Sequence, residues 1–383
     1  MTATAAPSAE HVRDHVRLAC LPGLGSRGRR TLLHHFGSPG AVLQANAAEL
    51  AAVPGLGRRA AKLLPGPADA AAADDVLELC RERDIRILLE GEAGYPPLVG
   101  RIPDPPSLLF VRGSIEPCDS LAIAVVGSRH ATAYGRKVAW QLAGGLARAG
   151  YTIVSGLARG IDAAAHRGAI DAGGRTLAVL GSGVLSIYPP EHADLAREVI
   201  AHGALVSEAP PHAVPTKGCF PQRNRIVAGL AIGVVVVEAA DRSGALITAG
   251  LAAEQGREVF AVPGPIDSRM SRGCHALLRD GARLVQGVDD VLEELGPLCA
   301  ATTSADGRQV SAPAELRLDD VERRTLAACD AVGAGAAAVS IDDVVVASGL
   351  ATSQVVATIG VLEMRRILRR LPGNRVERTV RGA

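Results

Sequence analysis

The sequence predicts an α/β protein organised around a doubly wound, mostly parallel β-sheet, with a helical unit before the sheet and a winged helix after it. Three observations carry this expectation. Between residues 120 and 296, short β-rich runs that are apolar on both faces alternate with helix-like runs, as strands do when helices cover both sides of a sheet. Four of those runs end in Gly- or Ser-containing turns that open a helix. At 383 residues the chain exceeds one ordinary domain of about 100 to 200 residues, so flanking units are expected.

Residues 1–66 have a helical pattern and contain two similar phrases, LPGLGSRGRR from residue 21 and VPGLGRRAAKLL from residue 53. Each reads as the hairpin of a helix-hairpin-helix unit, in which a Gly turn presents backbone N–H groups to a phosphate and the following Arg residues add charge. Ordinary helix turns with Gly at the C-cap would read the same way. Residues 67–119 predict a connecting helix followed by an irregular strand at RIPDPPSLLFVRGS.

The core, 120–296, contains the strands LAIAVVG (121–127), YTIVSG (151–156), RTLAVLG (175–181), ALVSEA (204–209), GVVVVEAA (233–240) and EVFAVPG (258–264), with a further one at RLVQG. A polar linker is expected at 297–314. Residues 315–383 read as helices from Asp319 to Val332, Ile341 to Ala347 and Thr352 to Arg366, then two strands around a Pro-Gly-Asn turn. Three helices and a hairpin in so short a span describe a winged helix, a module that enters DNA grooves or docks proteins.

Composition narrows the class. Hydrophobic residues make up 48% and charged residues 21%, as in folded globular proteins. No apolar run approaches 18 residues, and the first twenty residues carry acids and bases where a signal peptide would have its apolar centre, so a cytoplasmic protein with no membrane contact is expected. The seven cysteines are scattered and form no C-x-x-C pair, which indicates neither a disulfide framework nor a metal site. Cys219 reads as a small space-filling thiol.

The net charge of +1 conceals local excesses. Residues 120–175 carry seven bases against Asp162 and Asp171, and residues 361–383 carry seven Arg against Glu363 and Glu377. A polyanion could therefore bind locally.

In a doubly wound sheet, ligands bind beyond the carboxyl ends of the strands. There the turns VVGSRHATAYG (Gly127, Ser128, Arg129), IVSGLARGIDAAAHRG (Ser155, Gly156, Arg159), AVLGSGV and VVEAADRSGALITAG (Ser243, Gly244) come together. Converging N–H groups and helix N-termini favour a phosphate or another anion. None matches the dinucleotide or P-loop fingerprints, so oxidoreductase and nucleotide-triphosphatase readings lose their support.

The segment KGCFPQRNRIVAGL from Lys217 adds cations at Lys217, Arg223 and Arg225, a stacking ring at Phe220, and Asn224 to bond a base edge or hold the loop. Alone, such a cluster is equally a solvated helix start. Asp162 and His166, four apart, read as loop-shaping residues or as an acid/base or metal pair. Glu208 and Glu238 end strands, where glycosidic chemistry would be placed.

The succession YPPLVGRIPDPPSLLFVRG, VVGSRHATAYG, SGLARGIDAAAHRGA, AVLGSGVLSIYPPEH, SEAP, FPQRNRIVAGL, VEAADRSGALITA, FAVPGP and GARLV resembles the bacterial DNA-processing protein A (Smf) family over about residues 95–290. The resemblance implies an extended Rossmann-like core that binds single-stranded DNA, forms a homodimer and delivers the strand to the RecA recombinase in natural transformation, with no catalytic activity and no cofactor. It places Arg129, Ser155, Gly156, Lys217, Phe220, Arg223 and Asn224 in the single-strand site. This chain has SGALITA where the family often has SGSLITA, so Ala245 removes one hydroxyl contact.

Two alternatives stand beside this. One is a nucleoside-monophosphate phosphoribohydrolase, although the phrase DRSGALITAGLAAEQG lacks that group's double Gly and its nearby Glu. The other is a winged-helix regulator of duplex DNA, which leaves the central rim unexplained.

Overall fold

A computed structural model describes residues 8–56, 67–216, 218–295, 302–303, 309–310, 318–333, 338–364 and 367–378. Four short helices come first: α1 (Ala9–Cys20), α2 (Ser26–Phe36), α3 (Pro39–Gln44) and α4 (Ala47–Ala52). Side chains satisfy the orphan N–H groups at three of their starts: Ser8 caps α1, Ser38 caps α3, and Asn46 with Glu49 forms a capping box on α4. Their apolar faces close on Leu18, Leu32, Val42 and Leu50. The first PGLG phrase makes the turn between α1 and α2, with Gly23 at φ 80°. The second begins such a turn with Gly55 at φ 84°, and its remainder, from residue 57, lies outside the described residues.

Next come α5 (Pro67–Glu82), β1 (Ile85–Leu89), β2 (Leu108–Gly113), β3 (Ala122–Val126), α6 (Ala133–Arg148), β4 (Thr152–Ser155), α7 (Ile161–Asp171), β5 (Thr176–Val179), α8 (Ala193–His202) and β6 (Gly203–Ser207). They are followed by α9 (Cys219–Leu230), β7 (Gly233–Val236), α10 (Gly244–Glu254), β8 (Glu258–Ala261), α11 (Arg272–Arg279), β9 (Arg283–Leu284) and α12 (Val288–Leu295). The nine strands form one sheet in the order β1-β2-β6-β5-β4-β3-β7-β8-β9. The seven from β6 to β9 run parallel, whereas β1–β2 and β2–β6 pair antiparallel. All seven strands expected in the core are present. The sequence reading did not foresee β1, which turns the single irregular strand before the core into an antiparallel pair.

Period-two alternation sends Ile123 and Val125 of β3 into one layer, with α6, α7 and α12, and Ala122, Ala124 and Val126 into the other, with α9, α10 and α11. A third cluster packs α1, α5 and α8 against β2, β5 and β6. The chain winds outward from β3 through β4, β5 and β6, then returns to the other side of β3 to build β7, β8 and β9. The winding direction therefore reverses between β3 and β7, where adjacent connections leave toward opposite faces and a crevice opens at the carboxyl ends.

Within the stretch expected to be a linker, β10 (Thr302–Thr303) pairs antiparallel with β11 (Gln309–Val310). The C-terminal unit comprises α13 (Asp320–Val332), β12 (Val339–Ser340), α14 (Ile341–Ser348), α15 (Thr352–Met364), β13 (Leu368–Leu371) and β14 (Arg375–Arg378). Its three-stranded sheet has the order β12-β14-β13 and closes over Val344, Val355, Ile359 and Val376. This is a winged helix. No single helix among the described residues is long and apolar enough to cross a membrane.

Candidate functional site

A cleft of about 1000 Å³ opens at the winding reversal. Its walls are the turn after β3 (Gly127 to His130), the turn after β4 (Gly156, Ala158), the turn after β7 (Ala240 to Gly244) and the first turns of α9, with Arg269 and Met270 completing the rim.

Each wall is fixed by groups that the chain places behind it. Glu238, buried at the end of β7, accepts from Thr132 N at 2.9 Å and Thr132 Oγ1 at 2.6 Å, and its carbonyl accepts from Ser128 N at 2.7 Å. Thr132 in turn caps α6 by accepting from Gly135 N at 3.0 Å. A Cβ at Gly135 would lie 2.3 Å from the Glu238 carboxyl carbon, so this helix start admits only glycine while the carboxylate stays in place. Glu238 is thus the staple of the β3 turn.

In the β4 turn, Leu157 is fully buried at φ 55°, a left-handed conformation that costs a non-Gly residue about 1–2 kcal/mol. Two histidines hold it. Leu157 N donates to His166 Nε2 at 3.3 Å, and its carbonyl lies 2.8 Å from His192 Nδ1. His166 Nδ1 is 2.7 Å from Thr176 Oγ1, whose own proton goes to the Ile153 carbonyl at 2.8 Å. The His166 proton must therefore sit on Nδ1, leaving Nε2 to accept. That ring is neutral: burial, reinforced by Arg223 and His192, pushes its pKa down to about 3. Gly160, at φ 77°, brings the same turn against the β3 turn, since a Cβ there would meet the Ser128 carbonyl at 2.2 Å.

Beneath the turn, Asp162 Oδ2 accepts from Gly156 N at 3.1 Å and Ala158 N at 3.3 Å. Burial pushes its carboxyl group up, while Arg223 and these N–H donors oppose the rise. Arg223 Nη1 donates to the Gly156 carbonyl at 2.6 Å and also to the Val179 carbonyl. Burial lowers its pKa and Asp162 raises it. Asp162 and His166 are therefore loop-shaping residues, and among the described residues no group of three His, Cys, Asp or Glu could hold a metal ion.

Of the residues expected at the site, Gly127, Ser128, Arg129, Gly156, Phe220, Arg223, Asn224, Ser243 and Gly244 line the cleft. Arg159 lies beside it, in a smaller recess, ion-paired with Glu191. Lys217 lies outside the described residues. Two expectations need correction. The Ser155 hydroxyl faces into the sheet and donates to the Val125 carbonyl at 2.7 Å, so only its neighbour Gly156 reaches the cleft. The Arg223 and Arg225 cations are both 7% exposed: Arg223 lines the floor of the cleft with its guanidinium tied to the Gly156 and Val179 carbonyls, and Arg225 braces the fold from behind. Arg225 pairs with Glu208 and Asp104, and Glu208 also meets Arg29 of α2 at 3.5 Å. Arg30 pairs with Glu90. These two arginines of the first hairpin thus bind it to the core.

The exposed cations of the cleft are Arg129, Arg242 and Arg269, and none pairs with a carboxylate among the described residues. The Arg129 guanidinium lies 4.8 Å from the centre of the Phe220 ring, which in turn is 5.7 Å from the Tyr188 ring. Asn224 Nδ2 donates to the Gly244 carbonyl at 3.2 Å, tying α9 to the β7 turn, and Ser243 caps α10. Sequence reasoning missed Arg242, Arg269 and Tyr188. Only Arg242 had a signal, since it stands directly before the Ser-Gly turn. Exposed cations, Gly-containing turns and two rings in one cleft suit a chain of phosphates bearing planar bases.

Among the described residues of the C-terminal segment, most of the arginines already have local partners. Arg369 pairs with Glu377, Arg370 with Glu363 and Arg378 with Asp330, while Arg375 donates to the Ala338 carbonyl. Helix α15 carries no basic residue.

Comparison with known proteins agrees with this architecture. The family model for DNA recombination-mediator protein A matches residues 86–296, a DprA winged helix domain matches 309–374, and a SAM-like helix-hairpin-helix tandem matches 17–64. The chain is 42% identical to the putative DNA processing protein DprA of Mycobacterium tuberculosis over 76% of its own length and 77% of that protein's. It is 49% identical to Protein Smf of Escherichia coli, over 52% of this chain and 54% of that one. Among solved structures, DNA processing protein A from Streptococcus pneumoniae superposes with a TM-score of 0.62 at 34% identity, over 73% of this chain and 95% of that one. DNA processing protein A from Helicobacter pylori, described for its single-stranded DNA binding mode, superposes at 0.50 with 29% identity, over 55% and 95%.

Proposed function

The chain belongs to the DNA recombination-mediator protein A family, and on that premise we propose that it binds single-stranded DNA in the cleft at the winding reversal. The observation that carries this reading is the Arg129–Phe220–Tyr188 cluster, a guanidinium over one ring with the second ring tilted beside it, next to Gly-rich turns. Phosphates lie along Arg129, Arg242 and Arg269 and the backbone N–H groups at Gly127 and Gly244. A base stacks on Phe220 without regard to its identity, because every base has a π-face. A duplex keeps its bases paired and stacked and cannot present one to the ring.

The role we infer is handling of single strands in recombination and natural transformation, in the cytoplasm, with the chain acting as a homodimer that delivers the strand to the RecA recombinase. Two subunits on one strand would add avidity without new contacts. We assign no bond-breaking step. The glutamates that a hydrolytic reading would use are already engaged, Glu238 with Thr132 and Glu208 with Arg225 and Arg29.

The test is a salt titration of the purified protein with labelled single strands and duplexes, run beside an assay for base release from nucleoside monophosphates. Three exposed cleft cations predict a log–log slope of about −2 for strands short enough to fill only the cleft, at roughly −0.7 per neutralised phosphate. Equal affinity for duplex, or release of free base, would overturn the reading.

A further inference from the structure

Helix α6 begins at the mouth of the cleft and leads away from it. His130 lines the cleft, Thr132 caps the helix, and the next sixteen residues contain no Asp or Glu. Tyr134, Lys137, Gln141 and Arg148, at i, i+3, i+7 and i+14, share one face, and Arg136 and Trp140 lie alongside at i, i+4 spacing. All six are exposed, Tyr134 at 52% and Trp140 at 43%. The face is framed by its neighbours: a Cβ at Gly144 would touch the Gly168 carbonyl of α7 at 3.0 Å, and one at Gly145 would strike Val288 of α12 at 2.4 Å. Both flanks are therefore packed and rigid.

Two of the chain's nine aromatic residues, including its only Trp, thus stand in solvent on one helix among cations. Trp residues are highly buried on average, so this exposure calls for an occupant. Trp140 is positioned, since Nε1 donates to Asp171 Oδ2 at 2.6 Å, and that bond also engages the Asp171 carboxylate beside the face. Arg136 is likewise positioned, donating to the Ala131 carbonyl at 2.6 Å close to the cleft mouth. Lys137, Arg148 and Arg136 have no carboxylate partner among the described residues. Rings and unneutralised cations in a row match a polyanion bearing planar groups.

We propose that the outer face of α6 is a second stretch of the single-strand track, carrying the strand onward from the cleft; this rests on reading the cleft as a single-strand site. Length supports continuity. A cleft of this volume is of the size that holds a small molecule, about 300–1000 Å³, whereas single-strand modules occupy roughly 4 to 16 nucleotides. From Tyr134 to Arg148 the helix adds about 21 Å of cationic surface at its 1.5 Å rise per residue.

The experiment uses the full chain, oligothymidylates of about 4 to 24 nucleotides spanning the range of single-strand site sizes, and the fluorescence of Trp140. Oligomers that fill only the cleft should bind and leave Trp140 emission unchanged, whereas longer ones should quench it and bind about tenfold more tightly, as one added stacked base or ion contact provides. The double variant Lys137→Ala/Arg148→Ala should lose most of that length gain and about 1.4 of the salt slope, and keep its affinity for the shortest oligomers. Absence of quenching by the longest oligomer overturns the proposal, as does a double variant that retains the full length gain; either result leaves the face to a protein partner. If the shortest oligomers fail to bind at all, the cleft reading fails and this proposal falls with it. A urea midpoint matching wild type excludes misfolding of the variant.

Discussion

Replacing Phe220 with Ala isolates the stacking contribution at the cleft. The ring is half-buried, lies 4.8 Å from the Arg129 guanidinium and 5.7 Å from Tyr188, and carries no charge. A base stacked on an aromatic side chain contributes about 1–3 kcal/mol, and a guanidinium held over such a ring about 0.5–1 kcal/mol at an exposed site. The Arg129 contact exists before DNA arrives, so its loss falls mainly on the positioning of that cation and only partly on affinity. Taking about 2 kcal/mol overall, the variant should bind single strands roughly 30-fold more weakly. Fluorescence anisotropy of a labelled oligothymidylate, repeated across salt concentrations, reads both affinity and slope. The slope should stay at the wild-type value because no phosphate contact is removed. Phe220→Trp should restore most of the affinity, since it returns a stacking face. An affinity within twofold of wild type refutes the stacking argument, and a slope that falls together with affinity refutes the division of labour between ring and cations.

Other predictions follow from the same geometry. Arg242→Ala with Arg269→Ala should lower the single-strand salt slope by about 1.4, measured in the same titration, and an unchanged slope removes both from the phosphate path. Arg223→Ala should act on stability first: it leaves Asp162 buried without its counter-charge and frees two carbonyls, a loss of about 3–5 kcal/mol in urea denaturation. A normally stable variant with weakened binding would return Arg223 to the phosphate contacts. His166 predicts acid sensitivity. Its folded pKa of about 3 lies below the unfolded value near 6.5, so its contribution is complete above pH about 6.5 and is lost as pH falls toward the folded value. Between pH 6.5 and 5 this amounts to about 2 kcal/mol, so His166→Gln, though less stable at pH 7, should lose about that much less than wild type on acidification. Identical pH slopes would refute it.

Helix α9 explains why part of the site was legible in advance and part was not. The segment was recognisable as cationic with one ring, and Phe220 and Asn224 do line the cleft. Yet Arg223 shares a face with Ile226, Val227 and Leu230 at helical spacing, and that face is the one laid on the sheet. The same spacing that marks a core face thus turned a cation inward, toward carbonyls at two strand ends. Strand β1 escaped notice for a related reason. Its five residues, IRILL, include a cation and are held by pairing with β2, a partner about twenty residues away.

By itself the sequence determined the doubly wound core, its Gly-rich carboxyl edge and the flanking helical and winged units, because two-faced apolar runs, turn residues and helical periodicity are local properties. Only the tertiary structure decided which cations stay exposed at the cleft. Arg129, Arg242 and Arg269 remain in solvent over the cleft, whereas Arg29, Arg223 and Arg225 are buried beneath it or in its floor, held by Glu208, Asp162 and strand-end carbonyls. The difference is one of burial and partner, set by distant segments that meet only when the sheet closes, and no spacing along the chain encodes it.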